Sequence, residues 1–138
     1  MGPLFEGLFD ILGKDKISVV FKHFPLGNHD KAQLAAEASM AAHAQGKFWE
    51  YHDILFQNQK ALERYQLESY AQRLSLDMAK FKASLDEGVY TERVKEDMAV
   101  CQKAGVRGTP TIFVNGRKYE GAREAPAMAE LLKKEFLK

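Results

Sequence analysis

Asn115-Gly116 lies between two short runs of strand-forming residues, Thr111–Val114 and Arg117–Glu120. A two-residue connection between antiparallel strands needs positive φ at both central positions, which asparagine and glycine tolerate and branched residues resist. The dipeptide therefore predicts a β-hairpin with a type I′ turn. A lone hairpin is marginally stable in water, so the rest of the chain must cover it.

Most of the remaining chain has helical spacing. Leu4, Phe5, Leu8, Ile11 and Leu12 predict a first helix from Pro3 to Leu12, which Gly13 can end. Ile17-Ser18-Val19-Val20-Phe21 is β-branched and apolar on both faces, and is expected to be a strand covered on two sides. His23-Phe24-Pro25-Leu26-Gly27 leaves that strand, and Asn28 or Asp30 can cap a helix carrying Ala35, Ala38, Ala41 and Ala42. Gly46 interrupts it. Phe48, Trp49, Tyr51, His52, Leu55 and Phe56 then predict an aromatic packing helix. Further helices are expected around Leu67, Tyr70, Ala71 and Leu74, around Met78, Phe81 and Leu85, and from Tyr90 through Val94, Met98 and Cys101 to Gly105. Pro126 suits the first turn of a last helix with Met128, Leu131, Leu132 and Phe136. One sheet is expected to take in both the two-faced strand and the hairpin, which makes the chain an α/β protein.

A length of 138 residues with 46% hydrophobic and 28% charged side chains suits one globular domain. The net charge of +1, with both signs interspersed, supplies no field to draw in nucleic acid or an anionic membrane. No apolar run approaches the roughly 20 residues needed to span a bilayer, so no membrane insertion is expected. The amino terminus lacks a signal-peptide pattern, and the chain reads as mature or trimmed. Cys101 is the only cysteine, which excludes an internal disulfide.

Gly105-Val106-Arg107-Gly108-Thr109-Pro110-Thr111-Ile112-Phe113-Val114-Asn115-Gly116 resembles the loop, strand and turn that carry the cis-proline of DsbA-like thioredoxin-fold proteins. Val20-Phe21-Lys22-His23-Phe24-Pro25-Leu26, Ala35-Ala36-Glu37-Ala38, Gln45-Gly46-Lys47-Phe48-Trp49-Glu50, His52-Asp53 and Leu55-Phe56 strengthen the resemblance in the same order. It covers nearly the whole chain. It implies a thioredoxin-like fold formed by residues 1–27 and 105–138, with residues 28–104 as an inserted helical domain. It also implies that the family's first strand and its Cys-x-x-Cys, which precede a proline that looks like Pro3, are missing. In the complete fold that strand lies between those resembling Ile17–Phe21 and Thr111–Val114, so two open edges are expected to bring two copies together as a homodimer.

The resemblance implies thiol:disulfide oxidoreductase chemistry outside the cytoplasm, in a periplasmic or similar compartment, but leaves no catalytic residue in this chain and calls for no cofactor. Disulfide exchange needs an accessible thiolate and a resolving thiol beside it. Cys101, sharing a helical face with Val94 and Met98 near a helix carboxyl end, reads as a packed structural thiol, with a regulatory or intermolecular role as the alternative. Pro110 reads either as the first residue of a strand or, by resemblance, as the cis-proline. In the family that loop pairs with an extended substrate peptide, so Thr109 and Pro110 are the candidate substrate-binding residues. His23, His29, His43 and His52 come from different elements without metal-ligand spacing, and no metal site is expected. His52 is instead expected to be a hydrogen-bonded packing residue. Two functions compete with a truncated oxidoreductase: a non-catalytic module for peptide binding or self-association, and a glutathione-dependent enzyme of the related kappa type, to which the Gly108-Thr109-Pro110 region is less similar.

Overall fold

The computed structural model describes residues 2–27 and 29–137. Among them the order is α1 (Gly2–Leu12), α2 (Ala32–His43), α3 (Phe48–Gln57), α4 (Arg64–Arg73), α5 (Met78–Asp86), α6 (Thr91–Lys103), β1 (Ile112–Val114), β2 (Arg117–Tyr119) and α7 (Ala125–Glu135). The elements pack as two units, one from the ends of the sequence, Met1–Phe21 with Pro110–Lys138, and one from the middle, Lys22–Thr109.

In the end unit the hairpin is present, pairing Ile112 with Tyr119, Phe113 with Lys118 and Val114 with Arg117. Asn115 and Gly116 take φ values of +46° and +83°, as a type I′ turn requires. Because side chains alternate along a strand, Ile112 and Val114 turn toward the helices while Phe113 stays exposed. The core under them joins Leu4 and Leu8 of α1, Tyr119, and Met128, Ala129 and Leu132 of α7. Arg117 ties the hairpin to the end of α7 through Glu135 at 2.7 Å, and its guanidinium lies over the Phe136 ring.

Ile17–Phe21 is not a strand, and among the described residues the sheet is the hairpin alone. Nor is the segment covered on two sides: Ile17, Val19 and Phe21 are half-buried, Ser18 is exposed, and Val20 is 74% exposed. Ile17 packs on the same core as Ile112 and Val114. Side-chain pattern supplies burial, whereas a strand exists only through a backbone ladder, and among the described residues β1 and β2 pair only with each other.

The middle unit wraps α3, α4, α5 and α6 around α2. The alanines of α2 explain this, since Ala35, Ala38, Ala41 and Ala42 are buried and their small side chains let neighbouring helices approach. Tyr51, Leu67, Tyr70, Phe81 and Leu85 fill the remaining core. Both tyrosines spend their hydroxyls inside it: Tyr51 donates to the Leu67 carbonyl at 2.9 Å and Tyr70 to the Ala61 carbonyl at 2.6 Å. Burial holds the Tyr51 phenol well above its ordinary pKa. Glu37, also buried, accepts from Gln33 at 3.1 Å and from the Thr91 hydroxyl at 2.6 Å, which ties α2 to the start of α6.

Helix capping departs from the sequence expectation. Asp77 caps α5 by accepting from the Lys80 N–H at 3.1 Å. At α2 the cap position falls on Lys31, whose side chain makes no capping bond, so Asp30 does not serve; Asn28 lies outside the described residues. The aromatic helix α3 also departs from a pure packing role. Tyr51 and His52 are buried, but Trp49 and Phe56 are 39% and 45% exposed, because only one side of this ten-residue helix faces the core.

Candidate functional site

The loop from Gly105 to Thr111 leaves α6 and enters β1. Val106 anchors it, buried and donating its N–H to the Cys101 carbonyl at 3.0 Å. Beyond that anchor Arg107 is exposed, Gly108 is half-buried, and Thr109 and Pro110 are both exposed. The two candidate substrate-binding residues are therefore neighbours in the chain and both exposed. The Pro110 carbonyl is engaged, accepting from an Arg123 guanidinium nitrogen at 2.9 Å. This charge-assisted bond from one guanidinium nitrogen orients the peptide plane that follows Pro110, and with it the direction in which the loop enters β1.

Arg123 itself is set by a short turn. Tyr119, buried on the helical side of β2, donates its hydroxyl to the Ala122 carbonyl. A side chain at Gly121 would meet that tyrosine, since a Cβ there lies 2.7 Å from the hydroxyl and 2.9 Å from the ring carbon that bears it. Glycine at this position lets the turn close on the ring, and the next two residues deliver Arg123 to Pro110. The sequence pattern does not reveal this residue, because a basic side chain in a turn ordinarily points to solvent.

Cys101 is half-buried, not fully packed. The last turn of α6 runs beyond the core, as the neighbouring Val100 at 56% exposure shows. Burial pushes the thiol's pKa up, the Asp97 carboxylate adds to this, and Lys22 opposes it. The group is held as a thiol, the form that is poor at attacking disulfides.

A second titratable cluster occupies the middle unit. Asp97 is buried; its Oδ2 accepts from the His23 backbone N–H at 3.1 Å, and its Oδ1 faces Arg93 Nε at 3.3 Å and Lys22 Nζ at 3.7 Å. A buried carboxylate needs such partners, and here they fasten residues 22 and 23 onto α6. The His23 ring is buried edge-on to Phe48 and its pKa is lowered to about 4, first by burial; Asp97 opposes this, while Arg93, His52 and His43 add to it. His52 is buried between the rings of Trp49 and Phe56, with its Nδ1 3.1 Å from the Asp53 carboxylate. Among the described residues no three His, Cys, Asp or Glu side chains gather as a metal ion would require.

The family profile described as Thioredoxin matches residues 5–134, nearly the full length. The chain belongs to the thioredoxin family. A crystal structure of a thioredoxin-like oxidoreductase from Silicibacter pomeroyi DSS-3 superimposes with a TM-score of 0.73 over 94% of this chain and 73% of that one, at 23% identity, which supports the thioredoxin-like fold. Over 121 residues the chain is 40% identical to the Na(+)/H(+) antiporter NhaA 1 of Salinispora arenicola (strain CNS-205), covering 87% of this chain and 19% of the antiporter. Over 118 residues it is 41% identical to the Na(+)/H(+) antiporter NhaA of Herminiimonas arsenicoxydans, covering 86% and 19%. The chain thus spans about a fifth of the length of these curated relatives. No helix among the described residues is long and apolar enough to cross a membrane.

Proposed function

We propose that this thioredoxin-family chain is a domain of the DsbA-like thiol:disulfide oxidoreductase type. Its residues bind an extended peptide at Thr109–Pro110 and do not by themselves run a disulfide cycle. The observation that carries the reading is the exposed Thr109–Pro110 pair beside β1, with the following peptide plane held by Arg123. An extended chain adds to exposed backbone of this kind by main-chain hydrogen bonds. The only thiol, Cys101, is half-buried with a raised pKa and has no second cysteine in these 138 residues to resolve a mixed disulfide. Insulin reduction by the purified chain should stay at the dithiothreitol background, while an extended peptide should shift the amide resonances of residues 107–109, 111 and 112. Reduction clearly above background, or unmoved resonances, would overturn the respective half of the reading.

The alternative is a natural non-catalytic module of the same fold, for peptide binding or self-association. Sequence upstream of Pro3 separates the two, since an in-frame Cys-x-x-Cys there favours the oxidoreductase. By either reading the working compartment is extracytoplasmic. The identity shared with antiporters favours a further setting, in which such a domain works in company with a Na(+)/H(+) antiporter.

Self-association belongs to the same proposal. Ile17-Ser18-Val19-Val20-Phe21 carries no charge and is not part of the sheet among the described residues, so antiparallel pairing with its own copy sets no like charges opposite each other across these five residues. The second copy is the occupant we assign to this edge. Light scattering over a dilution series should give twice the chain mass at micromolar concentration, falling on dilution. A compact, cooperatively unfolding monomer throughout would remove the dimer.

A further inference from the structure

Arg123 is exposed and forms no ion pair among the described residues, although its guanidinium is fixed in place by the Pro110 carbonyl at 2.9 Å. Most long surface cations lose side-chain entropy when they capture an anion, which is why exposed ion pairs contribute so little. Here the buried Tyr119, its bond to the Ala122 carbonyl, the Gly121 turn and the bond to Pro110 have already ordered the side chain. A guanidinium carries five N–H donors, and one contact with Pro110 leaves others for a second acceptor. A carboxylate suits them best, because arginine meets it with paired, charge-assisted hydrogen bonds.

We infer that Arg123 is both the positioning residue of the Thr109–Pro110 loop and a specificity determinant, taking an acidic side chain of the bound extended peptide. The inference rests on the peptide-binding reading above and deepens it by naming the substrate class: extended segments with one glutamate or aspartate close to the residues that pair with the loop. Thr109 supplies backbone contacts that are blind to sequence, Pro110 holds that backbone in place, and Arg123 supplies the charge preference.

The test uses the full chain and fluorescein-labelled hexapeptides of alternating valine and threonine. One glutamate is moved through the positions, and a matching set carries glutamine. By anisotropy at low salt, the parent chain should bind the glutamate peptide at one position roughly three- to five-fold more tightly than its glutamine partner, as an ordered surface ion pair provides. That preference should shrink as salt screens the pair. Arg123→Gln should abolish it and weaken both sets. Arg123→Lys, which keeps the charge but loses the planar fork, should restore it only in part, with the thermal midpoint of both variants within a few degrees of the parent. Equal affinity for both sets in the parent, or a preference that survives Arg123→Gln, overturns the inference and leaves peptide binding standing. Failure of both sets to bind the parent removes the peptide-binding reading and the inference with it.

Discussion

Phe81→Ala is expected to destabilise the middle unit by about 3–5 kcal/mol, the cost of emptying a large buried aromatic site that cannot collapse. Phe81 has no exposed surface, and its ring centroid lies 5.9 Å from that of Tyr51. Neighbours have little freedom to fill the space. Tyr51 is tethered by its hydroxyl to the Leu67 carbonyl, and Ala38 and Ala42 of α2 are already fully buried with no side chain to extend. A loss of this size is a large share of the roughly 5–15 kcal/mol that holds an ordinary domain together, and it should lower Tm by at least about 12 °C. Phe81→Leu, which keeps most of the volume, should cost under about 1.5 kcal/mol. Denaturant titration of the three proteins checks the ranking, and an alanine variant that unfolds within a degree or two of the parent would contradict the packing described for α5.

The elements legible in the sequence are those whose cause is local. Asn115-Gly116 specifies its turn through the φ values those two residues tolerate. Tyr70, Phe81 and Val94 reveal their helices because apolar spacing is itself the helical period. Ile17–Phe21 reads as a strand for an equally local reason, its β-branched composition, but pairing is decided by whatever backbone lies alongside. Trp49 and Phe56 read as packing residues because they are aromatic, yet a helix of ten residues has two sides and only one meets the core. The candidate site divides in the same way. Thr109 and Pro110 stand out through their motif, whereas Arg123 reaches Pro110 across 13 positions, and Asp97 reaches His23 across 74. Contacts of that span leave no periodic trace.

The Asp97 cluster gives the middle unit a definite response to acid. His23 is buried against Phe48, and in the folded chain its pKa is lowered to about 4 from an ordinary value near 6.5. The unfolded chain therefore takes up a proton as pH falls below about 6.5 while the folded chain does not. The stability contributed by the neutral ring is fully present above pH 6.5, is lost progressively as pH falls, and changes no further below about 4. Across that window the loss from this residue is of the order of 3 kcal/mol. His52, also lowered by burial, acts in the same direction, with Asp53 opposing it. The Asp97 carboxylate raises the His23 value, but Arg93, His43 and His52 all face the ring with the opposite effect, so burial prevails. Urea unfolding at pH 7.5, 6, 5 and 4.5 should therefore show a midpoint that falls steadily with acidification. His23→Asn, which keeps the backbone N–H that Asp97 accepts, should flatten much of the slope. A midpoint that rises on acidification, or a slope unchanged in the asparagine variant, would mean that the His23 ring is protonated in the fold and that Asp97, not burial, governs it.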